Sequence, residues 1–198
     1  MTDKESVLSY LSTHNGLVSA KAVRQMRIDT KALQHLAQDG VLERIAHGLY
    51  MDAKHLGDAF FVAQYRCPQG VYSMDTALYL HHLTDRNPTR LSLTIPSGSN
   101  TRFLLKPERY QIYYLKNELW KLGQTTVLSP YSNPVIAYDI ERTLCECIRK
   151  LDELDRDEII SAVKVYMRIP GAKLNKLLDY ADIFHIRETV RQYMEVLR

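Results

Sequence analysis

The sequence predicts an α+β protein in two parts, and three features of its 198 residues support that prediction. Three short apolar stripes of helical spacing, followed by two β-prone runs, occupy roughly the first fifty residues. Short strand-like runs come next, and from Asp139 onward the pattern is helical. We therefore expect an N-terminal domain over residues 1–52 and a mixed α/β C-terminal domain over residues 53–198 that ends in helices.

The N-terminal stretch contains start and stop signals for three short helices. Thr2 and Glu5 have the spacing of a capping box, and His14-Asn15-Gly16 is a typical helix end. Ser19 is a good N-cap for a second helix, and Asp29 is one for a third. The apolar positions of the three helices are Val7, Leu8 and Leu11, then Ala22, Val23 and Met26, then Leu33, Leu36 and Ala37.

Two β-prone runs follow these helices, residues 41–45 and residues 49–51. Ala46-His47-Gly48 separates them, and such runs around a glycine-containing turn predict a β-hairpin. Three short helices followed by a hairpin are the pattern of a winged helix-turn-helix, and this is the most specific architectural prediction that the sequence allows.

The remaining chain predicts strands and then helices. Strands are predicted at residues 70–73, 91–95, 101–105, 110–115 and 125–128. One helix is predicted at residues 74–82. Beyond Asp139, the residues Ile140, Leu144, Cys147, Ile148 and Leu151 share one helical face. Asp155 and Glu158 form another capping box, and the helix that they begin stops before Pro170.

Composition excludes several classes of protein. Hydrophobic residues make up 45% of the chain and charged residues 25%, which is ordinary globular composition. A net charge of +3 is compatible with nucleic-acid binding and does not require it. We expect no signal peptide, and no run of the sequence approaches the ~20 apolar residues of a membrane span. Three cysteines indicate reduced thiols, so we expect a cytoplasmic protein with no membrane partner.

Charge is unevenly distributed along the chain. Residues 86–121 carry seven basic and two acidic side chains, for a net charge of +5. Residues 139–158 carry four basic and eight acidic side chains, for a net charge of −4. The basic segment either faces a polyanion or forms a solvated surface.

The sequence lacks the signatures of the catalytic sites considered. Cys145 and Cys147 stand two apart on a predicted helix and point to different sides, so they cannot share a zinc ion. A nucleotidyltransferase needs a Gly-Ser shortly before an Asp-x-Asp, whereas Gly98 and Ser99 lie far upstream of Asp155. An Asp…Glu-x-Lys nuclease needs a glutamate two residues before a lysine, and this chain has none. We expect no catalytic residues, no metal and no cofactor.

DNA binding is the function that the N-terminal pattern predicts. The third helix would enter the major groove, where Gln34 can bond adenine and Lys31 can reach guanine or phosphate. The candidate DNA-binding residues on the second helix, third helix and hairpin are Ser19, Lys21, Arg24, Arg27, Thr30, Lys31, Gln34, His35, Arg44 and His47. Two alternatives remain open: an adaptor that uses this domain for protein contacts, and an enzyme that modifies nucleic acid.

Three blocks of sequence resemble the AbiEi-type antitoxins of bacterial abortive-infection toxin–antitoxin systems. The N-terminal block contains Gly16-Leu17-Val18-Ser19 and Ile45-Ala46-His47-Gly48-Leu49-Tyr50. The second runs from Tyr72 to Asp85 and continues with Leu93-Thr94-Ile95-Pro96, and the third runs from Val135 to Cys145. The resemblance covers nearly the whole chain. In the family an acidic residue follows the Leu-Cys pair of the third block, and in this chain that residue is Glu146.

The resemblance implies a protein with two functions. The winged helix would bind inverted repeats in its own operon's promoter and repress it, and the C-terminal domain would counteract a co-encoded nucleotidyltransferase-like toxin, with or without touching it. The second and third blocks supply the candidate residues for this antitoxin function, Ser73, Asp75, Asp139, Glu141 and Arg142. The alternative is a purely structural role, in which Asp139 caps a helix and Glu141 and Arg142 form a pair or a domain brace.

Overall fold

The computed structural model describes residues 2–54, 57–99 and 108–196. These residues form α-helices and two β-sheets, in agreement with the predicted α+β class. The chain divides into two compact units. Unit 1 comprises Met1–Arg66 and Ser129–Asn133, and unit 2 comprises Cys67–Leu128 and Pro134–Arg198.

Unit 1 begins with three helices and a small antiparallel sheet. Its elements are α1 (Asp3–Thr13), β1 (Leu17–Ser19), α2 (Ala20–Gln25), α3 (Lys31–Gln38), β2 (Leu42–Ala46), β3 (Leu49–Asp52) and α4 (Ala59–Arg66). Strand β3 lies between β1 and β2. The apolar core contains Val7, Leu11, Val18, Val23, Leu33, Leu36, Leu42 and Tyr50.

The first two helix starts have the caps that the sequence predicts. Thr2 and Glu5 form a reciprocal capping box before α1, and the Ser19 hydroxyl accepts the Ala22 N–H at 3.0 Å. The N-cap of α3 is Thr30, whose side chain makes no capping bond. The carboxylate of Asp29 instead accepts the Lys31 N–H at 2.9 Å. The expected capping residue therefore acts from the position just before the N-cap.

Unit 1 extends beyond residue 52 because Asp58 ties two further segments into it. Asp58 Oδ1 accepts the N–H groups of Phe60 and Phe61 at the start of α4. Its Oδ2 accepts the Ser129 hydroxyl at 2.6 Å and the Asn133 side-chain amide at 2.8 Å. The boundary predicted after residue 52 therefore falls inside the compact unit, and α4 was not predicted at all.

Unit 2 contains a five-stranded mixed sheet. Its strands are β4 (Val71–Tyr72), β5 (Leu91–Pro96), β6 (Tyr110–Leu115), β7 (Gln124–Leu128) and β8 (Pro134–Tyr138). The strand order is β6-β5-β4-β8-β7. The β5–β6 and β4–β8 pairs are parallel, whereas the β4–β5 and β7–β8 pairs are antiparallel.

The helices of unit 2 pack around α7, whose residues 141–148 are all buried. The helices are α5 (Met74–Leu80), α6 (Asn117–Lys121), α7 (Ile140–Arg149), α8 (Arg156–Met167), α9 (Leu174–Ile183) and α10 (Arg187–Val196). The buried apolar cluster includes Met74, Leu78, Leu144, Cys147, Ile159, Val163, Tyr166, Leu177, Phe184 and Val190.

Most of the predicted elements of unit 2 are present. The strands at 70–73, 91–95, 110–115 and 125–128 and the helix at 74–82 correspond to β4, β5, β6, β7 and α5. The strand predicted at 101–105 lies outside the described residues. Helix α6 and strand β8 were not predicted. Asp155 caps α8 as expected, but Glu158 accepts the Thr84 hydroxyl instead of completing a capping box.

None of the helices within the described ranges is both long enough and apolar enough to cross a membrane.

Candidate functional site

Helix α3 presents one exposed polar face. Four side chains on it are exposed, namely Lys31, Gln34, His35 and Gln38. Because an α-helix turns about 100° per residue, these four side chains fall within an arc of about 100°. Leu33 and Leu36 lie on the opposite side and are 0% and 1% exposed. The hydrophobic face thus fixes the orientation of the helix and leaves a polar face free for contacts.

Helix α2 and the connection after it add basic side chains to unit 1. Lys21, Arg24 and Arg27 are exposed, whereas Ser19 is partly buried and caps the helix. Arg27 has a φ of 60°, which is the left-handed conformation of a tight turn. The five residues from Met26 to Thr30 join α2 to α3.

The β2–β3 hairpin carries Arg44 and His47. An Arg44 guanidinium nitrogen donates to His47 Nδ1 at 3.1 Å, so the two side chains lie side by side. Helix α4 anchors the hairpin, since Tyr65 donates its hydroxyl proton to the Gly48 carbonyl at 3.1 Å and Arg66 donates to the Ile45 carbonyl. Neither Tyr65 nor Arg66 was predicted from the sequence; the apolar run before Arg66 was the available signal for a helix.

Basic and acidic residues of unit 1 are segregated along its elements. Residues 20–38 contain four basic side chains (Lys21, Arg24, Arg27 and Lys31) and one acidic side chain, Asp29. Two of the other acids, Asp3 and Glu5, lie in the first turn of α1. Asp39 forms an ion pair with Lys4 at 3.0 Å. The excess positive charge therefore lies on α2, the turn and α3.

Three of the five antitoxin candidates in unit 2 are buried, Asp75 and Asp139 are partly buried, and all five are hydrogen-bonded. Asp139 caps α7 through the Arg142 N–H, and its other oxygen accepts from the Tyr180 hydroxyl at 2.8 Å and from Lys176 at 2.9 Å. Glu141 accepts from the Tyr166 hydroxyl at 3.1 Å and pairs with Lys176 at 3.3 Å. Asp139 is thus the helix cap that the structural alternative expected, whereas the Glu141–Arg142 pair does not form.

Arg142 is completely buried. Its guanidinium donates to Glu146 Oε1 at 3.0 Å and to the backbone carbonyls of Leu119 and Leu122, which flank the end of α6. The guanidinium carbon lies 3.5 Å from the centroid of the Tyr138 ring. Arg142 therefore braces the α6 turn against α7 within unit 2.

Ser73 and Asp75 lie where β4 joins α5. Ser73 is fully buried and accepts the Thr94 hydroxyl at 2.8 Å. Asp75 Oδ1 accepts the Ser92 hydroxyl at 2.6 Å and the Thr76 N–H at 2.8 Å. Both side chains therefore link α5 to β5 within unit 2.

Asp75 also lines a cavity of about 320 Å³ together with two arginines of the basic segment, Arg86 and Arg90. Arg86 pairs with Asp155 at 2.5 Å and with Glu158 at 3.5 Å. The hydrogen bond from Arg86 holds the pKa of Asp155 below its ordinary value. Part of the basic segment is thus neutralised inside unit 2. Arg102 and Lys106 lie outside the described residues.

The described residues contain no cluster of three His, Cys, Asp or Glu side chains that could hold a metal ion. Cys67, Cys145 and Cys147 are all free and buried. Burial raises the pKa of the Cys145 thiol to about 12, so this thiol stays protonated near neutral pH.

No protein-family model and no curated protein matches this chain. A crystal structure of the RV2827C protein from Mycobacterium tuberculosis has a similar fold, with a TM-score of 0.58 and 12% sequence identity. The similarity covers 92% of this chain and 72% of that chain. At this level of identity it shows a shared fold and carries no information about activity.

Proposed function

We propose that unit 1 is a winged helix-turn-helix domain that binds double-stranded DNA sequence-specifically. The observation that carries this proposal is the exposed polar face of α3, which lies opposite the buried Leu33 and Leu36. The element order α1-β1-α2-α3-β2-β3 and the three-stranded sheet support it, because they supply a recognition helix followed by a hairpin. In helix-turn-helix proteins this second helix of the motif enters the major groove.

Each part of the surface has a different role in this proposal. Gln34 and Lys31 contact base edges, with Thr30 and His35 beside them on the same helix. Ser19, Lys21, Arg24 and Arg27 contact phosphates, which fixes the register of the domain on the duplex. Arg44 and His47 reach the backbone or the minor groove from the hairpin.

The distribution of charge favours a polyanionic partner for this surface. Four bases and one acid occupy residues 20–38. Asp39, at the end of α3, is paired with Lys4. Neutralising phosphates releases counterions, so binding should weaken steeply as salt increases.

The resemblance to AbiEi-type antitoxins extends the proposal to a biological role. The protein would bind inverted repeats in its own promoter as a repressor, and unit 2 would counteract a nucleotidyltransferase-like toxin. One winged helix reads half of an inverted repeat, so two copies of the chain would occupy each operator. The proposed role does not require direct contact between this protein and the toxin.

In this proposal the candidate residues in unit 2 contribute to the antitoxin role by stabilising the fold of unit 2. Ser73, Asp139, Glu141 and Arg142 each have hydrogen-bond partners inside unit 2 and little exposure. Replacing them would disturb antitoxin function by destabilising this unit. Asp75 is the member of the set that faces a cavity.

A salt titration of DNA binding by fluorescence anisotropy tests the assigned roles. Arg24→Ala should reduce the slope of log K against log salt by about one, because one phosphate contact is lost. Gln34→Ala should keep the slope and reduce the preference for the specific duplex by about 1–3 kcal/mol, because a base contact is lost.

Lys164→Ala is the matched control for Arg24→Ala, since Lys164 is an exposed base on α8 in unit 2. It should leave both the affinity and the slope unchanged. If Lys164→Ala and Arg24→Ala reduce the slope equally, the assigned DNA surface is wrong. If the wild type binds no DNA but copurifies with a protein, the adaptor alternative replaces this proposal.

A further inference from the structure

A second cavity in unit 2, of about 440 Å³, lies outside the surface assigned to DNA. Its walls come from β5, β6, the first residue of α5 and the end of α7. The lining combines apolar side chains and two tyrosines with three charged residues, Glu146, Arg149 and Lys150. A volume of several hundred Å³ is within the range of sites that hold small organic ligands.

Glu146 is the unusual member of this lining, because its side chain has no exposed surface. Its Oε1 accepts from Arg142 at 3.0 Å. Its Oε2 has no hydrogen-bond partner within residues 2–54, 57–99 and 108–196. Buried carboxylate oxygens nearly always accept a hydrogen bond, so this oxygen is suited to a donor that the cavity admits.

The basic residues of the cavity lie further out than Glu146. Arg149 is exposed and Lys150 is partly exposed, where it pairs with Glu153. The guanidinium carbon of Arg149 lies 4.8 Å from the Phe184 ring centroid. The cavity therefore has one unsatisfied acceptor in its interior and positive charge towards solvent.

These features select among ligand classes. A simple anion offers no donor to Glu146 Oε2, and a simple cation is repelled by Arg149 and Lys150. A ligand that fits both ends carries an N–H donor at one end, an anionic group at the other, and enough length to separate them. The ring of Tyr113, which packs on the side of the sheet that α5 and α7 cover, favours a flat group between the two ends.

We propose that this cavity binds a nucleotide, with an N–H of the base donated to Glu146 Oε2 and the phosphate held by Arg149 and Lys150. The base lies against the ring of Tyr113 on β6. All residues of this site belong to unit 2, and none of them is assigned to the DNA-binding surface.

Isothermal titration calorimetry of the full-length chain tests the proposal, with AMP, CMP, GMP and UMP and the four matching nucleosides as ligands. At least one nucleotide should bind saturably, and its nucleoside should bind about tenfold more weakly because the charge-assisted phosphate contacts are missing. Arg149→Ala combined with Lys150→Ala should remove this difference between nucleotide and nucleoside.

Tyr113→Ala should weaken nucleotide and nucleoside alike by about tenfold, because the Tyr113 ring provides stacking rather than charge. The control variants are Lys164→Ala on α8 and Arg24→Ala on α2, which should bind like the wild type. Circular dichroism of every variant shows whether it is folded.

Two results would overturn the proposal. The first is that no nucleotide binds saturably at millimolar concentration. The second is that Arg24→Ala or Lys164→Ala weakens binding as much as the Arg149/Lys150 double variant, which would mean that phosphate binds basic side chains elsewhere. Neither result bears on the DNA titration, so the two proposals fail separately.

Discussion

The guanidinium carbon of Arg142 lies 3.5 Å from the centroid of the Tyr138 ring, and neither side chain has any exposed surface. The same guanidinium is paired with Glu146, which is equally buried. Burial raises the pKa of Glu146 and Arg142 counteracts that shift. Removing one partner therefore leaves an uncompensated group in the interior of unit 2.

Arg142→Met should destabilise the protein by about 3–5 kcal/mol, because Glu146 and two backbone carbonyls lose their donor. Urea unfolding followed by circular dichroism measures this free energy. Arg142→Met with Glu146→Leu should be more stable than the single variant, because the apolar pair leaves no buried charge. Arg149→Met, on the exposed side of α7, is the control and should change stability little. If Arg142→Met and Arg149→Met lower the free energy of unfolding equally, Arg142 is not a brace.

Gly123→Ala should destabilise unit 2 through a steric clash. Gly123 has a φ of +72°, and an added Cβ would lie 2.7 Å from the Tyr180 hydroxyl and 3.0 Å from Arg142 Cδ. Gly171 has a φ of +80° with nothing within 4 Å of the added Cβ, so Gly171→Ala isolates the backbone strain of about 1–2 kcal/mol. Thermal unfolding should show a larger loss for Gly123→Ala than for Gly171→Ala, and equal losses would contradict the close packing described.

Asp58→Ala should destabilise unit 1 by about 2–4 kcal/mol, because four hydrogen bonds to a buried carboxylate are lost. Hydrogen exchange should show faster exchange in residues 129–133 and at the start of α4. Ser129→Ala removes only one of these contacts and should have a smaller effect. Unchanged exchange in Asp58→Ala would mean that this carboxylate does not hold the two segments.

Protonation of His81 should make stability depend on pH. Burial lowers the pKa of His81 below its ordinary 6.5, against the opposing influence of its bond to the Tyr138 carbonyl and of Asp139 and Glu141. The unfolded chain binds this proton more readily than the folded chain. The contribution of His81 is therefore fully present above about pH 6.5 and is lost as the pH falls through the lower folded pKa.

Urea unfolding between about pH 7 and pH 5 measures this dependence. His81→Gln removes the titrating group and should flatten the decrease of stability towards low pH. His35→Gln, an exposed histidine of α3, should leave the decrease as in the wild type. A decrease that persists undiminished in His81→Gln would assign it to another group.

Most helices and most strands could be predicted from local patterns. Val7 and Leu11, or Leu33 and Leu36, recur at helical spacing because one face of each helix packs into a core. Helices α4 and α6 and strands β1 and β8 were missed. The apolar runs 59–63 and 135–138 have no clear helical or alternating period, because their burial depends on partners far away in the chain.

The buried charge of α7 could not be predicted for a related reason. Arg142 and Glu146 stand four residues apart, which in a sequence is the usual spacing of a surface ion pair. Here the turn after α6 covers that face and supplies two carbonyls to Arg142. Only tertiary packing distinguishes this pair from a solvated one, so the brace and the nearby cavity appear only in the folded chain.

The most direct test of the central claim compares two duplexes by fluorescence anisotropy with the wild-type chain. One duplex carries the DNA immediately upstream of the gene, and the other carries a shuffled sequence of the same length and composition. Sequence-specific binding predicts a preference of roughly 10³ or more at physiological salt. Equal, weak binding to both duplexes would contradict the claim that α3 reads DNA.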